Sequence, residues 1–453
     1  MGSEWKEKYL VDCLDKLIDY RGKTPKKAEN GILTLSAKSV KNGTIDYSKA
    51  YYISRETYNK FMTRGFPKKG DILMTTEAPL GYVAKLDRDD VAIAQRLLVL
   101  RGNSSKLDNS YLLYYLKSVR GQHELLSRAT GTTVQGIKRS EFEKVRIVLP
   151  SISEQKAIAH ILGTLDEKIE LNRRMNATLE QMAQAMFKSW FVDFDPVIDK
   201  ALAAGNPIPE PLQKRAEKRK ALGDKRKPLP EDIQKLFPDE FEFSEELDKW
   251  VPKGWEVKPI DKMIQINPRV TLKKETIAPF VDMKALPTSG YSVSDVITKE
   301  YKGGAKFEKD DVLLARITPC LENGKAGIVD FLHDGEVGFG STEFIVLRGK
   351  EAIKTAFIAC LIRDSKFRKH AIQSMVGSSG RQRVQNACFS SYYLAIPDNV
   401  VLNNFDRLIS SNFKTITQNK EEIITSTILR DTLLPKLISG EKRIKIFEDS
   451  QNN

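Results

Sequence analysis

The chain is written twice. The stretch KIELNRRMNATLE, residues 168–180, has a weaker echo in TITQNKEEIITST, residues 415–427, and an offset of 247 carries Asn172 onto Asn419 and Pro150 onto Pro397. An offset of 246 carries Gly131 onto Gly377 and Tyr111-Leu112-Leu113 onto Phe357-Ile358-Ala359. An offset of 240 carries Gly70-Asp71-Ile72-Leu73 onto Asp310-Asp311-Val312-Leu313, and one of 250 carries Trp5 onto Trp255. The order of the matches never changes, and the drift is what insertions between modules produce. A solenoid repeats every few tens of residues. A period this long describes two copies of one unit, a globular domain followed by a long helix. Two similar binding units on one chain can read two stretches of one ligand.

Within the first copy, Ile72-Leu73-Met74, Val91-Ala92-Ile93-Ala94 and Leu97-Leu98-Val99-Leu100 are short apolar runs that fit buried strands. Tyr111 to Val119 has helical spacing, Gly131 to Ile137 is a glycine-bracketed loop, and Val145 to Leu149 is a closing strand. The pattern then changes. Ser151-Ile152-Ser153-Glu154 is a capping-box signature for a long helix. Steps of four and three pick out Ile158, Leu162, Leu165, Ile169, Asn172, Asn176, Leu179, Ala183, Met186 and Trp190. That spacing is a coiled-coil seam with two asparagines, residues that lower stability but fix register and partner. At 1.5 Å per residue the helix is roughly 50 Å long.

Pro196 is expected to end this helix. Residues 196–250, rich in proline and charge, read as a solvated linker with one short helix. The division expected is a globular domain over 1–150, a helix over 151–195, the linker, a second globular domain over 251–397, a helix over 398–440 starting near Asn403 and capped by Gly440, and a tail over 441–453. The fold class is α+β: two α/β domains joined by two long antiparallel coiled-coil helices, a pseudo-twofold internal repeat.

An apolar content of 41% in 453 residues supports real cores. No apolar run is long enough to span a membrane, and no signal-peptide core opens the chain. Cys13, Cys320, Cys360 and Cys388 are scattered and the four histidines stand alone, so neither a disulfide framework nor a zinc site is expected, and a cytoplasmic location is. The net charge of +13 points to a polyanion, nucleic acid first. Part of that excess sits between Lys214 and Lys227, in the expected linker.

Catalytic patterns are missing. There is no phosphate-cradling P-loop, and Asn323-Gly324-Lys325 lacks the upstream glycine. The Asn-Pro-Pro-aromatic tetrapeptide of amino-methyltransferases is broken at Asn267-Pro268-Arg269 and Asn206-Pro207-Ile208. No enzyme activity, metal site or bound cofactor is expected on this chain.

The helix Asp166 to Asn176 and its exit, Lys188-Ser189-Trp190-Phe191-Val192-Asp193-Phe194-Asp195-Pro196, resemble the central region of the specificity subunits of type I restriction-modification systems. Tyr20 to Pro25, Thr75 to Gly81 and Gln95-Arg96 resemble target-recognition domains of that family, as do Leu236 to Asp239 leading to Pro252 to Trp255, Arg316 to Lys325 and Leu433 to Gly440. The resemblance covers nearly the whole chain. It implies a non-catalytic subunit whose two target-recognition domains each bind half of a split, asymmetric sequence in double-stranded DNA. The helices would set the spacer and hold two modification subunits carrying the adenine methyltransferase site and S-adenosylmethionine. Restriction/motor subunits would supply ATP- and Mg-dependent translocation and cleavage. The second helix is a poor copy, with Ser426 and Arg430 where the first has Leu179 and Ala183. A coiled-coil protein–protein adaptor without DNA reading is the alternative.

Base discrimination needs forked or bidentate groups, and phosphate contacts need Lys, Arg or backbone amides. The DNA-binding candidates in the first domain are Arg21, Lys23, Lys38, Thr76, Gln95, Arg96, Gln135 and Lys138. In the second they are Arg381, Gln382 and Arg383, with Arg316 and Lys325. Tyr20 is expected to pack in the core or at its edge and not to contact DNA.

Overall fold

The computed structural model describes residues 5–20, 22–131, 133–223, 229–378 and 380–444. The chain divides into two compact units, one of residues 1–170 with 423–453 and one of residues 171–422. Each unit holds one globular domain and a segment of each of two long helices.

In the first unit an antiparallel sheet runs in the order Leu14–Asp19, Leu97–Gly102, Ile72–Thr76, Leu80–Lys85. A three-stranded sheet follows the order Tyr51–Ile53, Ile32–Leu35, Val91–Ile93, the last two parallel. Lys6–Tyr9 closes on Arg146–Leu149. The strand Ile72–Thr76 is buried at every residue. Ile72 and Met74 enter a core with the helix Asn109–Lys117, whereas Leu73 enters a second core with Leu35 and Val91. A sheet covered on both faces explains why its strands read as continuous apolar runs and not as alternation.

The second unit repeats this topology. Its sheet runs Ile264–Ile266, Phe344–Gly349, Val312–Ala315, Ala326–Ile328, and Glu256–Pro259 closes on Tyr393–Ile396. Leu73 lies opposite Val99 and Ala84; its counterpart Leu313 lies opposite Val346 and Gly327. The same ion pair sits under both sheets. Arg101 forks onto Asp71 through Nε and Nη2, each at 2.7 Å, and Arg348 forks onto Asp311 at 2.7 and 2.8 Å. The other sheet gains a strand, Ala305–Glu308, beside Val337–Gly340. The repeat read from the sequence is a duplicated fold.

The long helices are Ile152–Phe191 and Asn399–Ser439. Ser151 caps the first, its Oγ accepting from the Glu154 N–H at 3.2 Å. Glu154 does not complete the box: its carboxylate accepts from Trp5 Nε1 and Arg443. The second helix begins at Asn399, before the expected start, because Asp398 accepts from the Val400 and Val401 N–H groups at 3.0 Å. Gly440, at φ +78°, follows its last residue. Within each unit the helix segments run antiparallel. Glu154 meets Arg443 and Asp166 meets Arg430 in the first; Asn172 meets Glu422, Asn176 meets Asn419 and Phe191 packs edge-to-face on Phe405 in the second.

Of the seam residues, Ile158, Leu162, Ile169, Asn172, Ala183 and Trp190 are buried, and Leu165, Asn176, Leu179 and Met186 are half-buried. The seam serves more than helix pairing. Ile158 and Leu162 complete the first domain's core with Leu437 and Ile438, and Ala183 and Trp190 complete the second domain's, together with Phe187, which the heptad spacing passes over. Arg430 explains one departure of the second helix from the first: it donates to Asp166 at 2.7 Å.

The segment 196–250 is not the solvated linker expected. The first long helix stops at Phe191, and Pro196 sits in the first turn of a new helix, Asp195–Ala204. That position suits proline because the first-turn N–H groups lack helical partners anyway. A second helix, Glu210–Ala221, lies against it: Arg215 forks onto Asp195 at 2.8 and 2.7 Å, and Arg219 pairs with Asp199. Ile233 and Phe237 then pack into the second domain's core, and Phe241–Ser244 pairs with Lys249–Pro252. Two of the charges that suggested solvent, Arg215 and Arg219, are paired between the two helices, whereas Lys214, Lys218 and Lys220 stay exposed. Residues 224–228 lie outside the described residues.

Candidate nucleic-acid interface

In both domains an inner strand, Ile72–Thr76 in the first and Val312–Ala315 in the second, runs out into a loop cluster built on the same backbone bonds. In the first, Thr76 donates its N–H to the Arg96 carbonyl at 3.0 Å and accepts from the Ile137 N–H at 3.0 Å. Glu77 bridges to Gly136, and Gly136 pairs with Thr130, so the loop over residues 131–135 is tied at its base to the strand end. Gly131, at φ +105°, opens that loop in a conformation side chains rarely adopt.

In the second domain Arg316 donates its N–H to the Glu343 carbonyl at 3.0 Å and accepts from Val384 at 2.9 Å. Ile317 bridges to Arg383. Here the loop is a hairpin, Met375–Val376 against Arg383–Val384, with Gly377 at its turn. Both clusters carry a cis X–Pro bond, Ala78–Pro79 and Thr318–Pro319.

The structure gathers five of the first-domain candidates at one cluster. Thr76 is its backbone hub and its side chain is buried; Gln95 is half-buried; Arg96, Gln135 and Lys138 are exposed. Lys23 and Lys38 are exposed elsewhere on the domain, Lys38 in the short helix Ala37–Ser39. Arg21 lies outside the described residues, as do Thr132 and Ser379 of the two loops. Tyr20 is fully buried.

Arg381, Gln382 and Arg383 share the second-domain hairpin, with Arg381 exposed and the other two half-buried. Gln382 is held through its backbone: its N–H donates to Thr318 Oγ1 at 3.1 Å and its carbonyl accepts from the Thr318 N–H. Arg316 is turned inward. Its Nη2 donates to the Val384 carbonyl at 3.1 Å, and its Nε is buried without a partner. Lys325 is likewise engaged, Nζ donating to the Met283 carbonyl at 2.8 Å.

Two acids outside the candidate set complete these clusters. Glu77 Oε1 lies 2.6 Å from Arg96 Nε, and Glu343 receives Arg383 through Nε and Nη2 at 2.6 to 3.0 Å. The Arg383 guanidinium holds the Glu343 carboxyl below its ordinary value. The repeat carries a signal for one of them, since an offset of 247 carries Arg96 onto Glu343. The clusters present forked cations, amides and backbone N–H groups on loops fixed at their base, the donor types that nucleic-acid contacts use. Among the described residues no group of three or more His, Cys, Asp or Glu could hold a metal ion, and no helix is long and apolar enough to cross a membrane.

The family model for the type I restriction modification DNA specificity domain matches residues 2–181 and again 252–428. The chain belongs to that family. The two matches fall on the two copies of the fold. Among its relatives, the MjaIX specificity subunit of Methanocaldococcus jannaschii is 26% identical over 404 residues, covering 87% of this chain and 82% of that protein. The HindI specificity subunit of Haemophilus influenzae is 24% identical over 405 residues, covering 83% and 87%. The crystal structure of a type I restriction-modification S subunit from M. genitalium superposes with a TM-score of 0.57 at 16% identity, covering 98% of this chain and 97% of that one. At that identity the superposition speaks for the fold of a type I specificity subunit alone.

Proposed function

We propose that this chain is the non-catalytic DNA-reading subunit of a type I restriction-modification complex. Each globular domain reads one half of a bipartite, asymmetric target in double-stranded DNA, and the helix pair sets the spacer. One observation carries the reading: the same loop cluster is built twice on equivalent backbone bonds, yet displays different side chains in each copy. A duplicated scaffold with divergent loops suits one ligand with two unlike halves.

The helices also offer docking surface. Leu171, Met175 and Met182 are 53%, 39% and 55% exposed on the first helix, and Ile424 and Ile428 are 51% and 62% exposed on the second. Such apolar side chains on long helices fit partner subunits. Two modification subunits, carrying the adenine methyltransferase site and S-adenosylmethionine, are the partners proposed. Restriction/motor subunits using ATP and Mg would join them, in the cytoplasm.

The test is sequencing of methylated sites in a host carrying the chain and its modification partner, before and after exchange of residues 1–150 for the corresponding domain of a relative. One half of the methylated motif should change and the other stay intact. A change in both halves would overturn the modular reading, and absence of sequence-specific methylation would favour an adaptor that reads no DNA.

A further inference from the structure

The two loop clusters contain the same kind of ion pair with its polarity reversed. Arg96 occupies the chain position that Glu343 occupies in the second copy, and Arg383 occupies the position of Gly136. In the first domain the guanidinium rises from the turn before the strand Leu97–Gly102, and the acid, Glu77, from the end of Ile72–Thr76. In the second the acid, Glu343, stands before the strand Phe344–Gly349 and the guanidinium comes from the hairpin.

Neither pair is needed to hold its loops. The backbone bonds of Thr76 with Arg96 and Ile137, and of Arg316 with Glu343 and Val384, already do that. Side-chain exposures are 51% and 38% for Arg96 and Glu77, and 40% and 24% for Arg383 and Glu343. Pairs this wet contribute little to stability. What each carboxylate does is orient a cation. Arginine has five N–H donors in a rigid fork. Glu343 takes the Nε and Nη2 side of Arg383, and Nη1 approaches the Arg381 carbonyl at 3.4 Å. The Nη1 edge keeps donors enough for the bidentate pattern that matches guanine O6 and N7 in the major groove. A free arginine on a loop would sample many rotamers and settle on any phosphate. A buttressed one presents a fixed edge.

We propose that Glu77 and Glu343 are positioning residues for base-reading arginines, each setting one guanine in its own half-site. The proposal rests on the DNA-reading role above and names the residues that carry it. The reversed polarity places the reading cation on a different loop in each domain, which is a physical route to two unlike half-sites from one fold.

The test uses the chain assembled with its modification subunits and compares Glu77→Gln, Arg96→Lys, Glu343→Gln and Arg383→Lys by sequencing methylated sites. Glu343→Gln and Arg383→Lys should broaden the same single G·C position in one half-site, with discrimination falling roughly ten-fold. Glu77→Gln and Arg96→Lys should broaden one G·C position in the other half only. The salt dependence of binding should not weaken in the Glu→Gln variants, and should steepen by about one phosphate contact where the freed arginine settles on the backbone. An unchanged motif methylated more slowly would reduce the acids to structural roles and overturn the proposal, as would broadening in both halves by one variant. A wild-type complex that methylates no bipartite motif overturns the DNA-reading role and this inference together.

Discussion

Asn419 donates a side-chain N–H to the side-chain oxygen of Asn176 at 2.7 Å. Asn176 donates in turn to the Ile416 carbonyl at 3.3 Å, and Asn172 to Glu422 at 2.9 Å, all across the antiparallel helix pair. Asn419 and Asn172 are 7% and 5% exposed, so these are polar groups closed into a largely apolar seam. Replacing Asn419 by Leu leaves Asn176 short of its donor and should cost about 1–3 kcal/mol. Replacing both by Leu should recover most of that loss while weakening the preference for one register. Urea unfolding of the two single variants and the double gives the coupling directly. Strictly additive losses would deny that the two asparagines act as a pair.

The duplicated ion pairs beneath the sheets call for a second measurement. Asp311 is fully buried and accepts from Arg348 twice and from the Glu308 N–H at 2.8 Å. Asp311→Ala leaves the half-buried Arg348 guanidinium with Glu308 alone and the Glu308 N–H without its acceptor, and should destabilise the second domain by about 1–3 kcal/mol. Asp311→Leu combined with Arg348→Met removes both charges and should cost much less. Asp71→Ala should act on the first domain in the same way through Arg101. Limited proteolysis with domain-specific antibodies would show which domain opens; opening of both by either single variant would contradict the independence of the two sites.

Asp166 provides a pH test. Burial raises its pKa, but Lys117, Arg430 and Tyr114 together outweigh that and hold the carboxyl below its ordinary value. A carboxylate depressed in the folded state contributes stability that is present above its unfolded pKa, about 3.9, and is lost as pH falls through the folded value. Asp166→Asn should therefore lower the melting temperature at pH 7, and the gap from the parent chain should narrow as pH falls below about 4. A gap that persists unchanged to pH 3 would mean that Asp166 acts through packing and not through charge.

Much of this architecture is legible from periodicity. The 247-residue echo of Asn172 in Asn419 and the heptad run from Ile158 to Trp190 fall on the two long helices and the duplicated fold. The segment after Phe191 is not legible that way. Arg215 and Arg219 find Asp195 and Asp199 twenty residues back, a spacing outside any helical or strand period, so their charges read as solvent-facing. The loop clusters are hidden for a related reason. Arg96 and Arg383 stand out as forked cations, but their acids lie at Glu77 and Glu343, brought close only when nonadjacent segments pair. Lys325 and Arg316 look equally available in the sequence, yet their head groups are turned onto the Met283 and Val384 carbonyls.

Four residues inserted after Glu180 alone would lengthen the first helix by about 6 Å, which on a single-helix argument adds one or two base pairs to the unspecified spacer. The antiparallel pairing changes that expectation. Asn176 meets Asn419 and Phe191 meets Phe405, so an insertion after Glu180 keeps one contact or the other, not both. Both helices must grow together, and by a whole heptad, to return every seam residue to the seam. Seven residues placed after Glu170 and seven after Glu422, where the two compact units divide, add about 10 Å of paired helix. At about 3.4 Å per base pair the unspecified spacer should lengthen by about three while both half-sites stay the same. Seven residues in one helix alone should abolish methylation. An active complex from the double insertion that still methylates sites with the original spacer would show that the helix pair does not set it.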